Sequence, residues 1–244
     1  MSFFEELKNE FILNFLDGAK WKWLVDGLTN TLIITFFALL LGVAIGVIIA
    51  IIRSTYDKNR EVYKKNGGAG YVVLSILNFI SNLYLTIIRG TPVVVQLLIF
   101  YFIVFASSRN GIAVAVFAFG INSGAYVAEI FRGGIMSIDN GQFEAGRSLG
   151  FNYFQTMLYI ITPQVIKTTL PTLCNEFIVL LKETSVAGYV AVADLTFAGN
   201  RIRGATYSAF MPLIAVAIIY LILVVFFSWL VGKLERRLRQ SDNR

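Results

Sequence analysis

The feature that most constrains this chain is an uncharged apolar run, TLIITFFALLLGVAIGVIIAII, at residues 31–52. A helix needs roughly 20 mostly apolar residues to cross the hydrocarbon core of a bilayer, so the run is long enough for one crossing. The 244 residues as a whole agree, with 57% hydrophobic residues, 15% charged residues and a mean hydropathy of +0.70. Soluble domains carry about 25% charged residues. We therefore expect an all-α polytopic membrane protein with one transmembrane domain.

The sequence lacks the side chains on which several kinds of chemistry depend. It contains no histidine and one cysteine, Cys174. Serine–histidine, cysteine–histidine and histidine–metal chemistry are therefore excluded, as is an internal disulfide. The phosphate-binding string G-x-x-x-x-G-K-[ST] is missing as well, so the chain is not expected to bind ATP itself. We expect no catalytic residue and no metal-binding residue, which leaves an intramembrane enzyme as the weakest class of function.

Five stretches are predicted to cross the membrane. Residues 1–26 are acidic and amphipathic, which is not typical of a cleavable signal peptide, and they form a separate N-terminal segment. A charged loop is predicted at 53–70, and an interfacial or packed helix at 71–83, where Ser75, Asn78 and Asn82 give one polar face. Residues 238–244 are a short tail. The predicted spans are 28–52, 84–106, 111–131, 164–190 and 209–232.

The basic residues predict which side of the membrane each end occupies. Five crossings place the termini on opposite sides, and 13 of the 21 basic residues then lie on one face, which should be cytoplasmic. The N-terminus is therefore predicted outside and the C-terminus inside the cell membrane. Because these residues flank spans and form no aromatic-interleaved patch, nucleic-acid binding is not expected. The 13 are Arg53, Lys58, Arg60, Lys64, Lys65, Arg132, Arg147, Lys167, Lys233, Arg236, Arg237, Arg239 and Arg244.

A segment between the third and fourth spans, at about 139–158, is too polar to cross a membrane and too apolar to be a plain linker. Asp139 and Asn140 are candidate N-caps, and Gly150 permits a sharp break before the aromatic cluster that begins at Phe151. The pattern predicts two short helices joined at a turn, with aromatic rings exposed there. An amphipathic helix that rests on the bilayer is the alternative.

The same segment resembles the EAA loop of ABC importer permeases. Glu144-Ala145-Gly146, then Gly150, then Ile160 and Pro163 follow the spacing of that loop, with Gly146 and Thr162 as departures from the usual alanine and leucine. Further strings are similar to the polar amino acid uptake subfamily, and the resemblance covers about residues 27–237. Those strings are Arg89-Gly90-Thr91-Pro92 before Gln96, Asn122 to Glu129, Asn175-Glu176-Phe177 and Leu181 to Ser185.

This resemblance implies a type I ABC importer permease fold and a set of partners. The partners would be a pair of ATPase subunits that bind ATP and Mg²⁺, a second permease subunit and an extracytoplasmic binding protein that delivers an amino acid. The chain itself would need no cofactor. Six residues of the loop would couple to the ATPase: Glu144, Ala145, Gly146, Gly150, Phe151 and Tyr153.

Two polar stripes on the predicted spans are candidates for a substrate pathway. Asn122, Tyr126 and Glu129 recur at helical spacing on the third span, while Lys182 and Glu183 lie on the fourth, followed by Thr184 and Ser185. Charged groups inside a membrane generally face a bundle interior or a watery cavity. Lys182 could bind the carboxylate of an amino acid, and Glu183 or Glu129 its amino group. Alternatively, these groups only hold helices together.

Several alternatives stay open from the sequence. Glu129 could pair with Arg132, three residues on, and Arg89 could line a cavity or bind carbonyls freed at a kink beside Pro92. The tract 193–207 could be a short extracellular helix that meets a binding protein, or a solvated loop. An ion-coupled secondary transporter is the competing function, although no internal inverted repeat is evident.

Overall fold

The computed structural model describes residues 3–66 and 68–240, and no strand occurs among them. Residues 241–244 of the predicted tail lie outside the described residues. Ten α-helices follow one another along the described chain. They are α1 (Phe3–Phe11), α2 (Trp21–Asn66), α3 (Ala69–Gly90), α4 (Val93–Ile99), α5 (Gly111–Met136), α6 (Asn140–Ser148), α7 (Tyr153–Thr156), α8 (Thr162–Glu183), α9 (Leu195–Thr206) and α10 (Phe210–Gln240).

Five shorter helical segments join them. Three are π-helical, Ile12–Leu16, Phe100–Val104 and Met157–Ile161, and two are 3₁₀-helical, Asp17–Ala19 and Thr184–Val190. The all-α polytopic fold class is confirmed. Within the described residues, four helices are long and apolar enough to cross a membrane, with spans at Trp21–Lys58, Ala69–Gly90, Gly111–Met136 and Phe210–Leu238.

Two predicted boundaries are wrong. The charged stretch after residue 52 is not a loop, because α2 continues without a break to Asn66. The predicted division between an interfacial helix at 71–83 and a span at 84–106 does not exist either, because α3 runs unbroken to Gly90. Thr91 adopts an extended conformation, as expected of a residue before proline, and a new helix begins at Val93.

The predicted fourth span is also shorter than expected. α8 ends at Glu183, and the chain tightens into a 3₁₀-helix over Thr184–Val190. With 22 residues α8 is long enough to cross, but Lys167, Glu176, Lys182 and Glu183 make it more polar than the four spans named above. The predicted span at 111–131 is confirmed as α5, and the one at 209–232 as α10.

The chain forms two compact units. The first takes the described residues up to Ala38, then Val93–Phe119 and Phe177–Leu230. Its apolar core joins Phe15 and Leu24 to one face of α9, where Leu195 and Ile202 are fully buried. Buried Asn14 links the N-terminal segment to the end of α9, since its side-chain carbonyl accepts a hydrogen bond from the Thr206 hydroxyl at 2.7 Å.

The second unit takes Leu39–Pro92, Gly120–Glu176 and the described residues from Val231 onward. Here α2 and α5 approach closely because glycines on each helix face larger side chains of the other helix. A Cβ added to Gly46 would lie 2.6 Å from a methyl group of Val127, and one added to Gly120 would lie 2.7 Å from Leu41. Small residues at such contacts are typical of helix packing in membranes, where association depends on van der Waals contact.

Candidate functional site: the two-helix segment and a polar cluster

The two short helices predicted between the third and fourth spans are present in the second unit. α6 begins after Asp139, whose carboxylate accepts a hydrogen bond from the Gly141 amide at 2.6 Å. α7 begins after Asn152 with a capping box, in which Asn152 and Gln155 each accept the other's backbone N–H at 2.9 Å. Gly150, with φ of +80°, makes the break between them. Since this left-handed conformation favours glycine, the predicted role of Gly150 as a turn is confirmed.

The inner face of this segment is anchored by apolar packing. Phe143 of α6 is buried with Ile135, Ile138, Ile161 and Val165. Lys58, near the C-terminal end of α2, adds a cation–π contact, because its Nζ lies 3.6 Å from the centre of the Phe143 ring. The position of α6 is therefore coupled to both α2 and α5.

Gly146 lies on this packed face, which accounts for one departure from the EAA pattern. A Cβ at this position would lie 2.6 Å from Cγ2 and 2.7 Å from Oγ1 of Thr156. An alanine would therefore clash with a β-branched side chain on α7. Gly146 is a packing residue, while Glu144 and Ala145 are exposed.

The aromatic side chains of the segment differ from the prediction. Phe151 is half-buried, with its ring centre 6.1 Å from that of Tyr159, and half-buried Tyr153 packs against the cluster around Phe143. The expectation that rings at both positions are exposed is wrong. The third ring of the predicted cluster, Phe154, is 72% exposed, which confirms the prediction at that position, and Leu149 on the other side of Gly150 is 71% exposed. Leu149 was missed, although an apolar residue directly before a glycine break is a signal for an exposed tip.

A cleft of about 760 Å³ lies beside these helices in the second unit. Its lining includes charged side chains of both signs from α2 and α6. These are Asp57, Lys58, Glu144 and Arg147. The EAA-like segment thus has two exposed apolar side chains, Leu149 and Phe154, and its helix α6 lines a charged cleft.

A second polar site in the same unit surrounds Glu129 on α5. Arg53 of α2 donates a hydrogen bond to its Oε1, and Arg132 donates to its Oε2, with an Nη2–Oε2 distance of 3.2 Å. Arg132 also pairs with Asp57 at 3.4 Å. The alternative in which Glu129 pairs with Arg132 is therefore observed, and Arg53 is a partner that sequence reasoning missed.

Arg89, at the end of α3, is the third arginine near Glu129. Its Nη1 lies 3.9 Å from Oε1, and its guanidinium lies 5.8 Å from the centre of the Tyr126 ring. These side chains line a cleft of about 490 Å³. Within the described residues, the Arg89 side chain contacts Glu129 and Tyr126, and the alternative in which it binds carbonyls at the kink is not observed.

The other predicted substrate residues have different surroundings. Asn122 is buried in the second unit, and its neighbour Ser123 donates a hydrogen bond to Glu176 at 2.9 Å. Lys182, Glu183 and Ser185 belong to the first unit, where Lys182 is exposed and the other two are half-buried. Ser185 lines a cleft of about 300 Å³ with side chains that include Tyr189 and Asn200. The six predicted residues thus divide equally between the two units.

The tract 193–207 forms a helix, so the solvated-loop alternative is wrong. Asp194 caps α9 by accepting hydrogen bonds from the amides of Thr196 at 2.9 Å and Phe197 at 3.0 Å. Asn30 of α2 donates to the Ala193 carbonyl at 2.8 Å, and Arg201 lies 4.0 Å from the centre of the Trp23 ring. α9 is therefore fixed to the start of α2.

Comparisons with known proteins agree with this architecture. Residues 68–240 match the family described as binding-protein-dependent transport system inner membrane component. A Rickettsia bellii protein, provisionally named a glutamine transport system permease protein, is 35% identical over 234 residues, which cover 94% of this chain and 98% of the relative. Glutamine transport system permease protein GlnP of Escherichia coli (strain K12) is 39% identical over 168 residues, 67% of this chain and 77% of that protein.

A solved structure shows the same fold. A crystal structure of an amino acid ABC transporter with histidines superposes with a TM-score of 0.77 at 38% identity, covering 91% of this chain and 98% of the matched chain. The chain therefore belongs to the family of binding-protein-dependent transport system inner membrane components, as an ABC transporter permease for amino acids.

Proposed function

We propose that this chain is the permease subunit of an ATP-driven importer that carries a polar amino acid by alternating access. The observation that carries the proposal is the two-helix segment: its tip, residues 149–154, has exposed Leu149 and Phe154, and Glu144 and Arg147 of α6 line a charged cleft. Buried hot spots of protein interfaces are commonly of this kind, with apolar anchors inside a polar rim. Separate ATPase subunits are the partners expected to bury the tip, since family members act in ABC transporters.

Glutamine is the first substrate to test. Two relatives at 35% and 39% identity carry names as glutamine transport permeases. The polar residues predicted to contact the substrate are Asn122, Tyr126 and Glu129 in the second unit and Lys182, Glu183 and Ser185 in the first. We also propose a second permease subunit, identical or homologous, and an extracytoplasmic binding protein that contacts α9.

The conformational change of the ATPase subunits would reach the permease through the two-helix segment. Because Phe143 is buried among Ile135 and Val165, and Lys58 covers its ring, a displacement of α6 would be transmitted to α2, α5 and α8. ATP-driven closure of the partner subunits would displace the tip, and the packed inner face would carry that displacement into the spans. The rigid packing of Gly146 against Thr156 supports this transmission.

The test is co-purification of the permease with its ATPase subunit after truncation of the tip. The double variant Leu149→Ala, Phe154→Ala should insert normally yet lose the ATPase in mild detergent and lose ATP-driven glutamine uptake in proteoliposomes. Truncation of one interface hot spot costs about 2 kcal/mol or more, roughly 30-fold in affinity. Ser148→Ala, a change at the exposed last residue of α6, should keep the ATPase and is the matched control.

Two results would contradict the proposal. Stoichiometric ATPase and normal uptake with the double variant would place the docking surface elsewhere on the chain. Uptake by the wild-type permease that follows an ion gradient without ATP would support the ion-coupled alternative.

A further inference from the structure

The three arginines around Glu129 differ in whether they donate a hydrogen bond to its carboxylate. Each carboxylate oxygen of Glu129 already accepts a hydrogen bond, Oε1 from Arg53 and Oε2 from Arg132, and Arg132 has Asp57 as a second anion. Arg89 is left at 3.9 Å, beyond hydrogen-bond distance, with 47% of its side chain exposed. The cleft therefore contains a guanidinium whose hydrogen-bonding capacity is available to a ligand.

The rest of the cleft suits a small zwitterion. Arg53 lines the cleft beside Arg89 and adds a second positive charge. Thr86 donates its hydroxyl to the Asn82 carbonyl at 2.8 Å, so its oxygen remains free to accept from an ammonium group. A volume of about 490 Å³ is within the range of small-molecule sites, and the lining carries two arginines against one glutamate.

We infer that Arg89 binds the carboxylate of the transported amino acid in this cleft. The inference rests on the proposed function and deepens it. An arginine guanidinium matches a carboxylate with two parallel N–H···O bonds, a geometry that a lysine ammonium cannot provide. Arg89 lies in the last turn of α3, directly before the helix break at Thr91 and Pro92. This assigns a substrate role to a residue outside the two polar stripes.

The test measures amino acid binding to the permease itself, without a binding protein, because a binding protein could contribute its own preference for a carboxylate. The purified permease–ATPase complex is reconstituted in nanodiscs of neutral phosphatidylcholine, and radiolabelled L-glutamine is measured by equilibrium dialysis. Arg89→Gln should weaken glutamine binding at least about tenfold, as expected when a charge-assisted hydrogen bond is lost. Arg89→Lys should bind more weakly than wild type and more tightly than Arg89→Gln. The control is Arg109→Gln, an exposed arginine of the first unit, which should bind as wild type does.

A competitor identifies the group that Arg89 contacts. Decarboxylated glutamine, 4-aminobutanamide, should compete with glutamine on the wild type at least about tenfold less well than unlabelled glutamine, and this difference should shrink in Arg89→Gln. Retained ATPase in the Arg89→Gln complex shows that the variant has folded. Wild-type affinity in a folded Arg89→Gln complex would overturn the inference and leave the proposed function standing.

Two other outcomes separate the remaining explanations. If the wild-type complex shows no binding or uptake of glutamine or any other polar amino acid, the proposed function fails and the inference fails with it. If wild type retains phosphatidylglycerol from mixed nanodiscs, Arg89→Gln does not, and both bind glutamine equally, the guanidinium binds a lipid phosphate and the inference is wrong.

Discussion

At the scale of single residues, the charge cluster and the packed glycine have the clearest physical consequences. Glu129 is held by two arginines from two helices, which turns a charge that is costly inside a membrane into a link between α2 and α5. Gly146 is held by the shape of Thr156, so its identity depends on a neighbour ten residues away. The structure shows an ion-pair contact for Glu129 and a packing contact for Gly146, while the substrate role of Glu129 and the ATPase role of Gly146 stay predictions.

The packing of Gly146 predicts a compensating pair. Gly146→Ala should destabilise the permease by about 1–3 kcal/mol, because a Cβ 2.6 Å from Thr156 overpacks the α6–α7 contact. Thr156→Ala removes both atoms that clash, so the double variant should recover most of the loss. Thermal unfolding of the detergent-purified protein measures this. Gly133→Ala, where a Cβ meets nothing within 4 Å, is the control and should not lower the melting temperature. Additive losses in the double variant would show that Thr156 is not the obstacle.

At the scale of elements, caps and breaks determine where helices end. Asp139, Asn152 and Asp194 begin α6, α7 and α9 by accepting backbone N–H groups that would otherwise lack partners. Pro92 ends the preceding helix, and the left-handed Gly150 separates α6 from α7. These short-range signals are legible in the sequence, which is why the two-helix segment was predicted well.

The cap of α9 should make stability depend on pH. Burial raises the pKa of Asp194 above its ordinary value of 3.8, although hydrogen bonds from Thr196 and Phe197 act in the opposite direction. A carboxyl group with a raised folded-state pKa contributes stability that is fully present below its unfolded pKa and is lost as pH rises through the folded pKa.

Asp194→Asn keeps an effective N-cap and removes the titration. The melting temperature of this variant, minus that of wild type, should therefore increase from pH 4 to pH 7. A difference in melting temperature for Asp194→Asn that stays constant with pH would show that folding does not change the pKa of Asp194.

At the scale of the whole molecule, the distribution of charge predicts orientation. We expect the N-terminal segment outside and the end of α10 in the cytoplasm, because basic residues concentrate near the ends of the spans on one side. In a Cys174-free background, single cysteines at positions 60 and 239 should react only from the cytoplasmic side. A cysteine at position 17 should react only from outside. Labelling of 60 and 239 from opposite sides would contradict the predicted orientation.

The sequence by itself determined the class of fold, most spans, the position of the two-helix segment and, by resemblance, the family. Those properties depend on runs of apolar residues, on caps and on turn glycines, which act over a few residues. It did not determine that α2 continues to Asn66, because charged residues after an apolar run are compatible with either a loop or a helix.

The tertiary structure decided which side chains are exposed to a partner or a substrate and which are buried or paired. Packing between elements buries Phe151 and Tyr153 partly, while Leu149 and Phe154 stay exposed. It also brings Arg53 to Glu129, 76 residues away. Spacing along one helix shows which residues share a face, but it cannot show what that face meets. Arg89 is a candidate for binding the substrate carboxylate because three helices bring three arginines to Glu129. Only the packing of these helices determines which arginine does not donate a hydrogen bond to the Glu129 carboxylate.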